Sequence, residues 1–256
     1  MGAFAARQLR RHQAQTASAH RVRATVKQDI SLELGTATLH AIVRIPSAMR
    51  AVVLFAHGSG SGRHSPRNNY VAQRLAQSGI ATVLADLLTA HEEAIDMLTA
   101  QLRFDIAMLS DRLRAATEWT RRHRTLGAYP IGYFGASTGA AAALVAAAGV
   151  TDLLGVVSRG GRPDLAGAAL EQVLAPTLLI VGGEDRQVLA LNRSALAALH
   201  CPARLEVIAG ASHLFTEPGA LEQVAERATA WFEHCLNAPQ APAYPAHSQC
   251  CGGDGD

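Results

Sequence analysis

A chain of 256 residues with 49% apolar side chains can build one large core and needs neither a metal nor a disulfide to hold it. Its formal charge is only +2 and its bases are interspersed with acids, which argues against the concentrated basic face of a nucleic-acid binder. No apolar run reaches membrane-spanning length, and Cys201, Cys235, Cys250 and Cys251 have neither zinc-ligand spacing nor the density of a secreted scaffold, so a reducing, cytoplasmic setting is expected.

Residues 1–25 read as a flexible basic leader, with several arginines and no apolar core of a secretion signal. Two early strands follow, over 30–34 and 38–45, paired antiparallel. Ala51 to Ala56 is a continuous apolar run ending at His57-Gly58, as a buried central strand should. A helix is predicted over 69–77, closed by Gly79, and a strand over 80–85. The longest helical pattern runs from about 98 to 122, with Leu102, Ile106, Leu109, Leu113 and Ala116 three or four apart. Its end carries Arg121, Arg122, His123 and Arg124, cations that complement the helix dipole.

The second half alternates in the same way. Strands are predicted over 129–134, 153–157, 177–181 and 205–208, with helical stretches over 137–148, 165–174, 188–199 and 218–236. The tail over 239–256, rich in Pro, Gly and small polar residues, has little to bury and is expected to be disordered. Strands alternating with helices predict an α/β fold with a mostly parallel central sheet, helices on both faces and no insertion of lid size. The globular domain is placed at 26–238.

The sharpest chemical signal is Gly135-Ala136-Ser137-Thr138-Gly139, a G-x-S-x-G between an apolar strand and an alanine-rich helix. That context puts Ser137 on a tight strand-to-helix turn with its hydroxyl outward, the setting of a nucleophile. The bland alternative is a serine in an ordinary glycine-flanked turn. A base and its orienter follow in chain order: Gly182-Gly183-Glu184-Asp185 after one strand and Gly210-Ala211-Ser212-His213 after the next. Both loops fall at the carboxyl ends of parallel strands, where ligand sites of such sheets form. His213 is the expected general base and Asp185 its orienter. Glu184 is the rival carboxylate, less suited because its longer side chain must freeze more rotors.

Two backbone donors are expected to hold the developing oxyanion, the amides of Thr138 and of Ser59 in the loop His57-Gly58-Ser59-Gly60-Ser61-Gly62. That loop lacks the Gly-Lys-Ser/Thr ending of a nucleotide-binding loop. Four arginines follow these loops: Arg63, Arg67, Arg159 and Arg162. They are candidate ligands for an anionic acyl group; the alternative is that they pair with carboxylates such as Asp86, Asp105 or Asp164 and only hold loops together.

The blocks HGSGSGRHSPRN at 57–68, GYFGASTGAAAAL at 132–144, VVSRGGRPDLAG at 156–167, LLIVGGEDRQV at 178–188 and GASHLF at 210–215 resemble the dienelactone-hydrolase-like branch of the α/β-hydrolases. The resemblance runs from about Val26 to Leu236 and implies the α/β-hydrolase fold. It places the nucleophile at Ser137, the acid at Asp185 and the base at His213. The family's namesake uses a cysteine nucleophile, where this chain has serine. The form of the first block also resembles members joined to phosphoribosyltransferase-like domains, and no such domain is expected within these 256 residues. The resemblance implies hydrolysis of a small ester, lactone or thioester through an acyl-enzyme, with no metal or organic cofactor and no nucleic-acid or membrane partner. A non-catalytic binding protein, and a peptidase or acyltransferase with the same triad, are the alternatives.

Overall fold

A computed structural model describes residues 24–35 and 37–238. The basic leader, except its last two residues, and the tail over 239–256 with Cys250 and Cys251 lie outside the described residues. Eight strands form one sheet in the order β1-β2-β4-β3-β5-β6-β7-β8. They are β1 (Thr25–Leu34), β2 (Ala37–Pro46), β3 (Ala51–Ala56), β4 (Ile80–Ala85), β5 (Ile131–Ala136), β6 (Leu153–Arg159), β7 (Thr177–Gly182) and β8 (Ala203–Ile208). The first two are antiparallel to each other, β2 is antiparallel to β4, and all other pairings are parallel.

Central strands are buried at every position because helices cover both faces. Alternation along β3 assigns the layers: Val52 and Leu54 face one core, Val53 and Phe55 the other. The first core includes α3 (Ile106–Arg122) and α4 (Thr138–Ala147); the second includes α1 (Pro66–Gln77) and α6 (Ala220–Asn237). Helix α4 is buried almost all round, and its alanines let it lie close to both sheet and α3. Its last turn is held by Arg114, whose guanidinium donates to the carbonyl of Val145. Helix α5 (Arg186–Ala198) follows β7. No helix among the described residues is long and apolar enough to cross a membrane.

Several predicted boundaries shift, each for a local reason. Helix α1 begins at Pro66 rather than 69, because the Ser65 hydroxyl caps it and proline suits the first turn. The long helix expected from 98 is interrupted. Helix α2 (Ala90–Thr99) stands before it, opened by a capping box in which Thr89 and Glu92 satisfy each other's amides and closed by Ala100 in the left-handed region. A single 3-10 turn, Leu102–Phe104, leads to Asp105, which caps α3. The Thr89-x-x-Glu92 pattern was a legible start signal outweighed by the periodicity of 102–116. The stretch over 165–174 is a 3-10 segment, Pro163–Gln172, kinked at Gly167, rather than an α-helix. Strand β6 runs two residues beyond the prediction, to Arg159. Between β4 and α3 only α2 and this turn intervene, and the described residues hold no large lid.

Candidate active site

Strands β3 and β5 are neighbours, and the chain leaves them at the same sheet edge. Ser137 lies on the turn from β5 to α4 with φ 53 and ψ −122, a conformation that costs a non-glycine residue on the order of 1–3 kcal/mol. The turn is crowded enough to need glycine on both sides. A Cβ at Gly139 would overlap the carbonyl oxygens of Ala56 and His57, and one at Gly135 would strike the backbone of Ala140. Backbone bonds over-determine the strained residue: the Ser137 N–H donates to the Arg159 carbonyl at 3.1 Å, and the Ser137 carbonyl accepts from the amides of Ala140 and Arg162, each at 3.1 Å.

Asp185 and His213 come together from loops after β7 and β8. His213 Nδ1 and Asp185 Oδ2 are 2.6 Å apart, so Nδ1–H donates to the carboxylate and Nε2 is left as the basic nitrogen. The other Asp185 oxygen accepts from the Val188 N–H at 3.4 Å and caps α5. Glu184 is exposed and makes no such contact. The two loops pack so closely that a Cβ at Gly182 would overlap the Ala211 carbonyl and lie 2.6 Å from that of Ser212. Among the described residues the Ser137 hydroxyl makes no hydrogen bond to His213. In ligand-free sites of this kind that bond often tightens only with substrate.

The expected oxyanion donors also meet, in a way the sequence did not signal. The Ser59 N–H donates to the Thr138 hydroxyl at 2.9 Å, so one donor is satisfied by the side chain of the other. Gly58 lies against Ser137, with a Cβ there only 3.0 Å from Cβ of Ser137. His57 anchors the loop: its Nε2 accepts from Leu87 N–H at 3.0 Å and its Nδ1 lies 3.1 Å from the Gly58 carbonyl. That arrangement suits the neutral ring. Burial lowers its pKa, against the opposing pull of the Gly58 carbonyl, Asp86 and Glu93. Behind the loop is a cavity of about 170 Å³, bounded by Ser59, Asp86, Leu88, Glu93, Met97 and Arg103 among others, and not by the triad residues.

The four arginines divide. Arg63 pairs with Asp86 and reaches Asp29 at 3.4 Å. Arg162 closes onto Asp164 through two bonds of 2.9 and 2.7 Å. Arg159 and Arg67 form no ion pair among the described residues. Glu217 is a residue that sequence reasoning missed: the neighbouring Ser212, in the loop carrying His213, holds its carboxyl below the usual carboxylate range. No pattern in the sequence marks that contact.

The family model described as the dienelactone hydrolase family matches residues 38–238. The chain belongs to the dienelactone hydrolase family. A solved dienelactone hydrolase from Anabaena variabilis is 53% identical, with 82% of this chain and 98% of that chain covered and a TM-score of 0.80. Est1E from Butyrivibrio proteoclasticus, at 14% identity, covers 81% of this chain and 98% of its own with a TM-score of 0.68; this likeness is one of fold alone. A protein from two strains of Mycobacterium tuberculosis, named as a candidate phosphoribosyl transferase, is 49% identical over 213 residues. Those residues are 83% of this chain and 47% of the relative, so the chain spans about half the length of the curated relatives it matches.

Proposed function

We propose that the chain is a serine hydrolase of small ester-like substrates, carboxylesters, lactones or thioesters, acting through an acyl-enzyme on Ser137. The observation that carries this reading is the Asp185–His213 pair at 2.6 Å on the same sheet edge as a serine held in a strained turn. In the first step Ser137 Oγ attacks the carbonyl and His213 Nε2 takes its proton, while Asp185 holds the tautomer and stabilises the imidazolium. The oxyanion is received by the Thr138 N–H and by the Ser59 N–H, which must turn from the Thr138 hydroxyl to the substrate. His213 then protonates the leaving group, and its return as a base activates water to release the acid.

Two observations favour a second reading, a non-catalytic binding protein: the Ser59 amide is already occupied by the Thr138 hydroxyl, and among the described residues Ser137 is not bonded to His213. Labelling with a fluorophosphonate separates the two, since only an activated serine reacts readily. Stoichiometric labelling of the wild type and none of Ser137→Ala supports the hydrolase; an unlabelled wild type that turns over no ester sinks it. Rates across short esters, lactones, thioesters and peptide amides then separate esterase from peptidase, and transfer to added alcohols reveals an acyltransferase. A cytoplasmic location belongs to the same proposal and agrees with Cys201 and Cys235 being free thiols; fractionation of cells expressing the chain checks it.

A further inference from the structure

The sheet has two outer edges, and they differ. Strand β8 is six residues long, and its one acid, Glu206, is already held by Arg227 at 2.8 Å and Arg204 at 3.7 Å. Strand β1 is ten residues long and exposed at seven of its positions. Its register with β2 fixes which way its backbone points. The Ser47 N–H donates to the Ala24 carbonyl at 2.9 Å, one step before the Thr25–Pro46 pair, so even-numbered residues of β1 turn their amides and carbonyls to β2. The far side of β2 agrees. There the Asp86 N–H donates to the His40 carbonyl at 2.9 Å, which leaves Ala41, Val43 and Ile45 to face β1. Lys27, Asp29, Ser31 and Glu33 therefore turn their backbone groups to the open edge, where no strand of the described residues pairs. A row of that kind is a template for another strand.

The side chains of β1 restrict what that strand can be. Even positions carry Val26, Ile30, Leu32 and Leu34, and odd positions carry Thr25, Lys27, Asp29, Ser31 and Glu33. An added strand must alternate in the same phase. A second, antiparallel copy of β1 does so when the two-fold axis passes through a residue rather than between two. Centred on Asp29, the axis sets two aspartates face to face; centred on Ser31, it sets Asp29 against Glu33. Like charges directly opposite disfavour both. Centred on Gln28, it overlaps only residues 25–31 and offers Lys27 an acid, Asp29, that Arg63 already reaches at 3.4 Å. Centred on Ile30, it overlaps residues 26–34 and sets Lys27 opposite Glu33 of the second copy, twice by symmetry. Val26, 54% exposed, then stands opposite Leu34. Lys27 and Glu33 have no ion pair among the described residues, and Glu33 accepts only from the Thr38 hydroxyl at 2.8 Å.

We propose that β1 is a dimerisation edge: two copies of this chain pair antiparallel through β1, with the two-fold axis at Ile30 and Lys27 facing Glu33 of the second copy, and join two eight-stranded sheets into one. Lys27 and Glu33 exchange backbone hydrogen bonds as well as charge, since both turn their amides to the edge. Ile30 meets its own copy in a pair without backbone bonds, with Cα atoms about 4.5 Å apart. Strands β2, β4 and β3 separate β1 from β5, so the pairing leaves the Ser137 turn open and does not depend on the hydrolase reading.

The test is sedimentation equilibrium of the full chain from about 1 to 100 μM, with Lys27→Glu, Glu33→Lys and the double exchange of both. The wild type should reach the mass of two chains. Each single variant opposes like charges at two places and should dimerise at least about tenfold more weakly, and the double exchange should recover the wild-type constant to within about threefold. Misfolding of a variant does not imitate that rescue. A second measurement reads the register. Ile30→Cys brings two thiols to a spacing that a disulfide bridges, so under mild oxidation it should cross-link above the wild-type background and faster than Gln28→Cys. Amide exchange at Lys27, Asp29, Ser31 and Glu33 should slow as the chain concentration rises. A wild type that stays monomeric throughout overturns the dimer. So does a dimer indifferent to the single variants or not restored by the double exchange, which then belongs to another surface. Faster cross-linking at Gln28→Cys moves the axis and overturns the Lys27–Glu33 pairing. A monomer in which those four amides already exchange slowly has its edge covered by another segment of its own chain, and that result overturns the dimer too.

Discussion

Asp185 holds two groups at once, and its two contacts can be separated by substitution. One oxygen takes the His213 Nδ1–H at 2.6 Å; the other takes the Val188 N–H at the start of α5. Asparagine caps helices about as well as aspartate, whereas alanine at such a position costs about 1 kcal/mol. At His213 the amide removes the charge that stabilises the imidazolium and presents a donor to Nδ1–H if it rotates, which favours the wrong tautomer. The same replacement in a serine protease lowers turnover about 10⁴-fold. The His213 side chain is 38% exposed, so water compensates part of the loss here. A drop of at least about a hundredfold is expected, equivalent to about 2.7 kcal/mol of barrier. Asp185→Asn should keep its folding stability within about 0.5 kcal/mol of wild type, and Asp185→Ala should lose about 1 kcal/mol besides the activity. Exposed Glu184, changed to glutamine, should alter turnover by no more than a few times. Initial rates on a short 4-nitrophenyl ester, with denaturant unfolding of the same samples, measure both quantities. Asp185→Asn within tenfold of wild type, or a larger loss in Glu184→Gln, would refute the reasoning.

Strain at Ser137 predicts that Ser137→Gly is more stable than Ser137→Ala by about 1 kcal/mol while both lose turnover, since only glycine adopts φ near 53 without cost; equal melting temperatures would contradict the strain. Gly139→Ala should destabilise by at least about 3 kcal/mol or fail to fold, because its methyl would meet two backbone carbonyls that cannot move aside; near-wild-type denaturant midpoints would argue against the packed elbow. His57, whose folded pKa is lowered by burial, remains neutral below the pH at which the unfolded imidazole, near 6.5, takes a proton. Its contribution is therefore complete above about pH 6.5 and is lost as the pH falls below it, at less than about 1.4 kcal/mol per pH unit, and unfolding free energies from pH 7 to 5 should fall less steeply in His57→Gln. Removing the Thr89 hydroxyl (Thr89→Ala) breaks the capping box and should cost about 1 kcal/mol, read as faster hydrogen exchange confined to α2.

The fold and the order of the site were legible in the sequence because both rest on short-range patterns. Six-residue apolar runs became β3 and β4 within their predicted bounds, since burial on both faces leaves a continuous run as the stable solution. A strand, a glycine-flanked serine and a helix in succession allow one kind of turn, and the Asp and His blocks follow strands that must end at the same edge. Contacts between segments distant in the chain were not legible. Glu184 and Asp185 carry the same acid group and the sequence favours Asp185 on side-chain length, but it is the close packing of the Gly182 loop on the Ala211 loop that turns Asp185 toward His213. The Thr138 hydroxyl reaches Ser59 across 79 positions, a contact that no periodicity encodes. Likewise the four arginines look alike in sequence. Their separation into two with carboxylates and two without depends on which loops the sheet brings face to face, since a charge is paired by a neighbour in space and the sequence orders only neighbours along the chain.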